Sequence, residues 1–539
     1  MIPAALIALA LAPPLAAAVL VWLPILIAPP THPSATVRRG ARPGAGTQQA
    51  LTMSASAITL VASLALVGPA RAGTAEATIW GLRLYLDALS IYVILLVNVV
   101  AVAASFSALP WWTRHGAGGT RGRTLFLSLF NLFHFTMILV PSVTDLVVLW
   151  IGIELTTVTS TALVAAEGRR SSLEAAWKYI VITSTGIIVA LLGTIFLATS
   201  QGPGASLDWP ALVHSSGANQ RLVVLSFLFV MVGYGTKAGL APMHTWVPDA
   251  HGEAPYPVSA LLSGVLLKSA LYAILRFKMI TDHALGDGGR FTDRVLLAAG
   301  LLSLVVSVPF IIRRDRIKRV LAYHSLEHMG IITLGLGISG PLATFGALLH
   351  LVNHGVTKSL MFLAYGAVQD NYASAGRTGA ARSAAAPADA PSDTPDTEPR
   401  GVLAAMPWTG RCLALGGLAL VGSPPFAIFL SELLILWGGM DRARAATGWS
   451  RAGWIAVATT LVLALVMIFA GLVRHLSRVL LGVPPPGVRP ERFRQVVPLT
   501  VLLLGAVLLG LAVVDMPGLP LRSLVSESAA LVCGGEPCR

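Results

Sequence analysis

Apolar runs of about 20 residues recur along the chain, separated by short polar or basic stretches. That length suits an α-helix crossing the ~30 Å hydrocarbon core of a bilayer. The intervals are too long and irregular for a membrane β-barrel. The pattern predicts an all-α polytopic membrane protein with about 14 transmembrane helices. The first run, 2–28, lacks the basic start of a cleaved signal peptide and reads as a retained span. Further spans fall roughly at 51–68, 84–106, 124–141, 143–166, 172–200, 220–241 and 256–278, then 294–312, 319–338, 341–368, 408–440, 452–473 and 496–515.

Two spans are interrupted. Span seven ends at Lys237 and runs into a connector with Pro242, Pro248, Pro255 and Pro257, which breaks the helix before the next begins. GSPPF, with Pro424 and Pro425, breaks span twelve, and Glu432 follows. Corresponding breaks in two halves point to an inverted-repeat transporter.

Composition sharpens this. The chain has 539 residues, 55% hydrophobic and 12% charged, with mean hydropathy +0.75, which excludes a soluble domain. The net charge of +13 is no nucleic-acid footprint, because the basic residues lie in short loops between spans. If Arg38, Arg39 and Arg42 face the cytoplasm, so do the loops with Arg114, Arg121 and Arg123, with Arg169 and Arg170, with Arg313 to Arg319, and with Arg474 to Arg494. Both termini then face outward, in the inner membrane of a prokaryote. Cys533 and Cys538 would lie in an oxidising compartment, where a disulfide is an option. Three cysteines cannot ligate an iron–sulfur cluster alone, and no Walker or Rossmann fingerprint is present. The expectation is a chain without cofactor, metal or catalytic centre of its own. Residues 370–406, rich in Ala, Pro, Ser and Asp, read as a disordered linker.

Ionisable residues inside spans carry the candidate chemistry, since a charge at membrane depth costs at least ~2.5 kcal/mol and marks function. Glu154 lies mid-span in LWIGIELTT, and Lys237 is its candidate partner, in a static ion pair or one that protons open and close. Lys268 is too deep in its span to snorkel and reads as a proton carrier. His244, Asp249, His251 and Glu253 crowd the connector, where they could line an entrance, hold the break together or ligate a metal. HSLEH at 324–328 matches a zinc-peptidase pattern, but it opens a span with no soluble domain beside it. His324 and His328 share a helix face with Glu327 next to them, and read as a proton relay. His350, His354 and Lys358, spaced i, i+4, i+8 with Asn353 adjacent, suggest a hydrated path.

The motifs WIGIELTT, KAGLAPMHTWVPDAHGEAPYPVSALLSGVLLK, AYHSLEHMG, HLVNHGVTKSLMF and PPFAIFLSE resemble the antiporter-like, proton-translocating membrane subunits of respiratory complex I and its relatives. In detail they look most like component F of hydrogenase-4, as in formate hydrogenlyase-type complexes. The resemblance implies two inverted five-helix repeats, at 124–280 and 281–474, between N-terminal helices 1–123 and a C-terminal helix and tail 475–539. It implies a coupling pair Glu154–Lys237, a central relay Lys268, an onward connection through His324, His328, His354 and Lys358, and an exit at Glu432. The expected partners are other membrane subunits, membrane lipid and a peripheral redox arm with iron–sulfur centres and, in a hydrogenase-like complex, nickel–iron. Subunits of multisubunit sodium/proton antiporters and of ion-coupled inorganic carbon uptake complexes share these features and remain alternatives.

Overall fold

The computed structural model describes residues 2–27, 44–116, 118–202, 204–313, 316–382, 398–509 and 521–534. Helices of eight or more residues are numbered α1 to α17. They are α1 (Ile2–Leu20), α2 (Ala45–Ala65), α3 (Ala88–His115), α4 (Gly119–Leu139), α5 (Leu146–Val164), α6 (Arg170–Gln201), α7 (Gln220–Lys237), α8 (Trp246–Glu253), α9 (Tyr256–Leu285), α10 (Arg290–Arg313), α11 (Ile317–Ile338), α12 (Pro341–Arg382), α13 (Pro407–Leu420), α14 (Ala427–Ala445), α15 (Gly448–Leu480), α16 (Phe493–Leu508) and α17 (Leu521–Val532). Counting α7 with α8 and α13 with α14, and setting α17 aside, gives fourteen crossings among the described residues. The expected architecture stands, with its breaks at spans seven and twelve.

Sequence sets the helix ends. The side chains of Asp87, Asp145 and Asn219 accept backbone N–H bonds in the first turns of α3, α5 and α7, satisfying donors a helix leaves open. Among the described residues, eight helices are long and apolar enough to cross a membrane on their own. α2 is not among them, because its buried face carries Gln48, Thr52, Ser56, Thr59 and Ser63.

Small residues let the helices approach closely. A Cβ on Gly233 of α7 would lie 2.4 Å from the Ala190 nitrogen of α6, and one on Gly337 of α11 would lie 2.2 Å from the Leu297 nitrogen of α10. α9 is buried along its whole apolar length and contains a π-helical segment, Leu262–Leu266. Gly264 in that segment meets α12, where a Cβ would fall 2.2 Å from Ser359 Oγ.

The loops sort onto two faces. A hairpin that the hydrophobic pattern did not predict, β1 (Glu76–Ile79) with β2 (Leu82–Tyr85), marks one face. There Arg83 reaches both Glu76 and Asp208. The hydrogen bond it donates to Glu76, with the Asp208 charge behind it, holds the guanidinium above its usual pKa range. At the opposite, basic face Asp370 accepts from Arg114, from the Tyr256 hydroxyl at 3.0 Å, and sits 2.6 Å from His115.

The ends of the 370–406 segment differ from the expected disordered linker. α12 continues through Arg382, since nothing in DNYASAGRTGAAR stops a helix. On the far side the Glu398 carboxylate accepts from the Ile317 amide and the Tyr365 hydroxyl, and Val402 and Met406 are buried. Residues 383–397 lie outside the described residues, as do Arg38, Arg39, Arg42 and Cys538, so the disulfide reading does too. Cys533 Sγ lies 3.4 Å from Thr344 Oγ1. The unforeseen α17 packs on α3 and α12 and pairs Glu527 with Arg71.

Near the hairpin face, buried Arg276 donates to both oxygens of Asp87, at 2.6 and 2.8 Å, and stacks over Trp209 at 3.8 Å. Asp87→Ala would leave the guanidinium uncompensated and remove the α3 cap. We expect a loss of about 3–5 kcal/mol, read as a lower unfolding midpoint in detergent. Asp87→Ala as stable as the parent would refute this.

Candidate functional site

α5, α6 and α7 bring the first cluster together. Lys237, fully buried at the last turn of α7, donates to Thr157 Oγ1 at 2.8 Å and to the Tyr179 hydroxyl at 2.6 Å. Tyr179 in turn lies 2.8 Å from Ser160 Oγ. Glu154, one turn before Thr157 on α5, accepts from Ser184 Oγ at 2.8 Å, and its second oxygen has no partner among the described residues. No ion pair within 4.0 Å joins Glu154 to Lys237. The expected direct pair is therefore replaced by a hydroxyl-lined gap. Threonine and tyrosine hydroxyls solvate the ammonium without neutralising it, which keeps both charges free to respond to a proton.

Lys268 sits at the centre of the molecule, just after the π-helical segment. The extra residue in a π turn frees a carbonyl from the i→i+4 ladder. Lys268 uses one, donating to the Ser263 carbonyl at 2.6 Å. Ser263 Oγ then lies 2.7 Å from Ser325 Oγ on α11. This link from α9 into the second half was not foreseen; the SG pair in LLSGVLLK is its only sequence trace.

α11, α12 and α14 build the second cluster. His324 Nδ1 lies 2.7 Å from Glu327 Oε2, and His328 Nε2 lies 4.0 Å from the same oxygen. His328 Nδ1 bonds His350 Nε2 at 2.9 Å, and His350 Nδ1 bonds Ser431 Oγ at 2.9 Å. His354 stacks on His328 at 4.5 Å, with neither ring nitrogen bonded to a described residue. Asn353 is likewise unpartnered. Lys358, one turn further, donates to the Leu321 carbonyl of α11. Glu432 follows Ser431 and is buried with Oε1 unpartnered. The break that precedes it, residues 421–426 with Pro424 and Pro425, folds back on this carboxylate. Gly422 there has φ +65°, and a Cβ on it would lie 2.1 Å from Glu432 Oε2, so only glycine fits.

The break residues of span seven divide. Pro242 lies in the non-helical turn between α7 and α8. His244 is buried there, its ring 6.5 Å from Phe310. His251 is fully buried, edge-on to Trp246 and Phe362, and neither ring nitrogen has a described partner. Trp246 packs on Tyr179 and Phe362 lies beneath Lys358, so His251 stands between the two clusters. Asp249 instead faces the basic surface. It pairs with Lys178 at 3.4 Å and Arg319 at 3.1 Å, lining a small pocket with Glu174 and Glu253.

The same donors are close enough to hold a metal ion. Ligand atoms of His324, Glu327 and His328, and of His328, His350 and Glu432, lie within 4.8 Å of one another. His328 belongs to both sets, so one ion at most can use it. Lys237, Lys268, His324, His328, His350 and Lys358 are each buried among apolar helices with a polar atom in reach, which suits the hand-over of a proton or small cation.

Residues 143–450 match the family model described as NADH:quinone oxidoreductase/Mrp antiporter, transmembrane. The chain belongs to this family. The match takes in both broken spans and every charged residue of the buried clusters, from Glu154 to Glu432. Among curated relatives, the hydrogenase-4 component F homolog of Methylacidiphilum infernorum is 36% identical, over 64% of this chain and 69% of that protein. NADH-quinone oxidoreductase subunit N of Desulforudis audaxviator is 30% identical, over 80% and 82%. Of solved structures, a subunit of the archaeal membrane-bound sulfane sulfur reductase superposes with TM-score 0.78 at 21% identity, covering 98% of this chain and 97% of that one. This antiporter-family fold thus extends well beyond the matched residues, through α1 to α4 and out to α16.

Proposed function

We propose that this chain is the proton-translocating membrane subunit of a redox-driven complex of the complex I or energy-converting hydrogenase type. The observation that carries the reading is the run of titratable and hydroxyl groups between the apolar helices, half-buried at Glu154 and Ser184 and buried from Lys237 onward. It passes from Glu154 and Lys237, through Lys268 and the Ser263–Ser325 contact, to His328, His350 and Glu432. Seven helices contribute to it, and packing alone requires none of these groups. The five spans from α4 to α9 and the five from α10 to α15 are read as two inverted repeats. Each has one broken span, with Lys237 at the first break and Glu432 just after the second.

In this mechanism the residues of this chain hold and pass protons, and the redox chemistry belongs to partner subunits. A charge change at one end of the run alters the balance at Glu154 and Lys237. Lys268 then gains or loses its proton against Ser263, and the histidines pass it to Glu432. Titratable Lys, His and Glu favour protons over sodium, since no cage of carboxylates and carbonyls is assembled among the described residues. A prokaryotic inner membrane, with the basic face inward, is the location this reading takes, with other membrane subunits, lipid and a peripheral iron–sulfur arm as partners.

Metal and flavin analysis of the complex that co-purifies in mild detergent tests this. We expect iron. Nickel with iron and no flavin would specify a hydrogenase; iron with flavin mononucleotide would specify a complex I-like enzyme. A complex without iron would overturn the redox coupling and leave a sodium/proton antiporter, or with zinc a carbon-uptake assembly.

A further inference from the structure

The proposed proton path uses none of the polar groups in the first four helices, yet these form a column of their own. Gln48, Thr52, Ser56, Thr59 and Ser63 lie on one buried face of α2. From Gln48 to Ser63 they span ~22 Å, most of a hydrocarbon core. At the basic face Arg123 Nε donates to Gln48 Oε1 at 2.7 Å, and Gln48 donates to Thr124 Oγ1 at 2.7 Å. Deeper, Asn131 of α4 donates to Thr52 Oγ1 at 3.0 Å. At the inner end Asn98 of α3 donates to Ser63 Oγ at 2.8 Å and sits 2.8 Å from His134 Nε2.

Three polar atoms in this column have no partner among the described residues: Asn131 Oδ1, Thr59 Oγ1 and His134 Nδ1. All three residues are fully buried. Buried polar atoms left open are where ordered water sits, provided two to four polar groups surround it. The column ends next to the axial run. Asn98 faces it, while Leu96 and Val100 on the other side of α3 touch the Gly355 and Gly264 positions beside the π-helical segment. One helix therefore separates His134 from the segment whose Ser263 carbonyl holds Lys268.

We propose that α1 to α4 enclose a hydrated half-channel that runs from the basic face to His134 and carries protons in water to the depth of Lys268. Hydration of the column stands apart from the reading of Lys237 and Glu432; its use for protons rests on that reading.

The test is cysteine accessibility in the intact complex, in a background with Cys412, Cys533 and Cys538 replaced. A small cationic methanethiosulfonate reagent reacts with thiolate, so it needs water at the sulfur. We expect Thr59→Cys, and independently Ser56→Cys, to react from the basic face at least about tenfold faster than Ile58→Cys, which lies at the same depth on the outer side of α2. The adduct at Thr59→Cys should then cut proton movement at least by half. Equal, slow labelling at all three positions would overturn the channel. Fast labelling with undiminished proton movement would overturn its use for protons, whereas fast labelling in a complex that moves no protons even before labelling would overturn the translocation reading and leave the hydrated column standing.

Discussion

Lys237→Met is expected to abolish coupled proton movement while leaving the assembled protein at least as stable as the parent. The two halves of this result have one cause. Lys237 is fully buried, and hydroxyls solvate it in place of an ion pair. Methionine keeps the volume and discards the charge. Holding one ion out of water costs several kcal/mol, so removing a buried ammonium that has no ion-pair partner within 4.0 Å among the described residues relieves that cost. The former partners are not orphaned, because Tyr179 keeps Ser160 and Thr157 keeps the Ile153 carbonyl. Proton uptake by inverted membrane vesicles, with unfolding of the purified complex, reads both quantities. Normal uptake would end the translocation hypothesis. Lost uptake together with a loss of several kcal/mol would make Lys237 a structural residue.

His328→Phe should cut proton movement on the order of 10²-fold, the low end of what a positioned proton-transfer group contributes. His328 is where three contacts meet: Glu327 on its own helix, His350 by hydrogen bond and His354 by stacking. Phenylalanine preserves the stack and removes both nitrogens. The His350 nitrogen left without its partner costs about 1–3 kcal/mol, too little to unfold a protein of this size. The ratio of protons moved to electrons transferred is the quantity to follow, since it falls only if the relay is cut. An unchanged ratio would show that protons bypass His328.

Much of this was legible in the residues. A 20-residue apolar run has one stable outcome in a bilayer, because every backbone N–H and C=O must be satisfied within the segment. Number and type of spans followed from that. Proline has no amide and restricts its predecessor, so Pro242, Pro424 and Pro425 announced both breaks. Glu154, Lys237, Lys268 and Glu432 stood out because a charge in an apolar run is costly. Spacing placed His350, His354 and Lys358 on one side of α12, as helix geometry requires.

What spacing could not supply is the partner across a helix interface. Lys237 meets Tyr179 and Thr157 rather than Glu154, a choice made by how α5 and α6 rotate about their axes. Hydroxyls in spans look unremarkable in sequence, since each can bond back to its own helix. The His328–His350 bond, between consecutive helices, and the Ser263–Ser325 contact, 62 positions apart, needed those helices to be docked at a given height. α12 approaches the π turn closely at Gly264, and the Asp87–Arg276 pair joins residues 189 positions apart. The sequence by itself determined the number of spans, their breaks and which side chains sit at membrane depth, because bilayer solvation acts on each segment separately. Only the tertiary structure decided which of those side chains touch, because that depends on helix rotation and height, and these are set by small-residue contacts between distant segments.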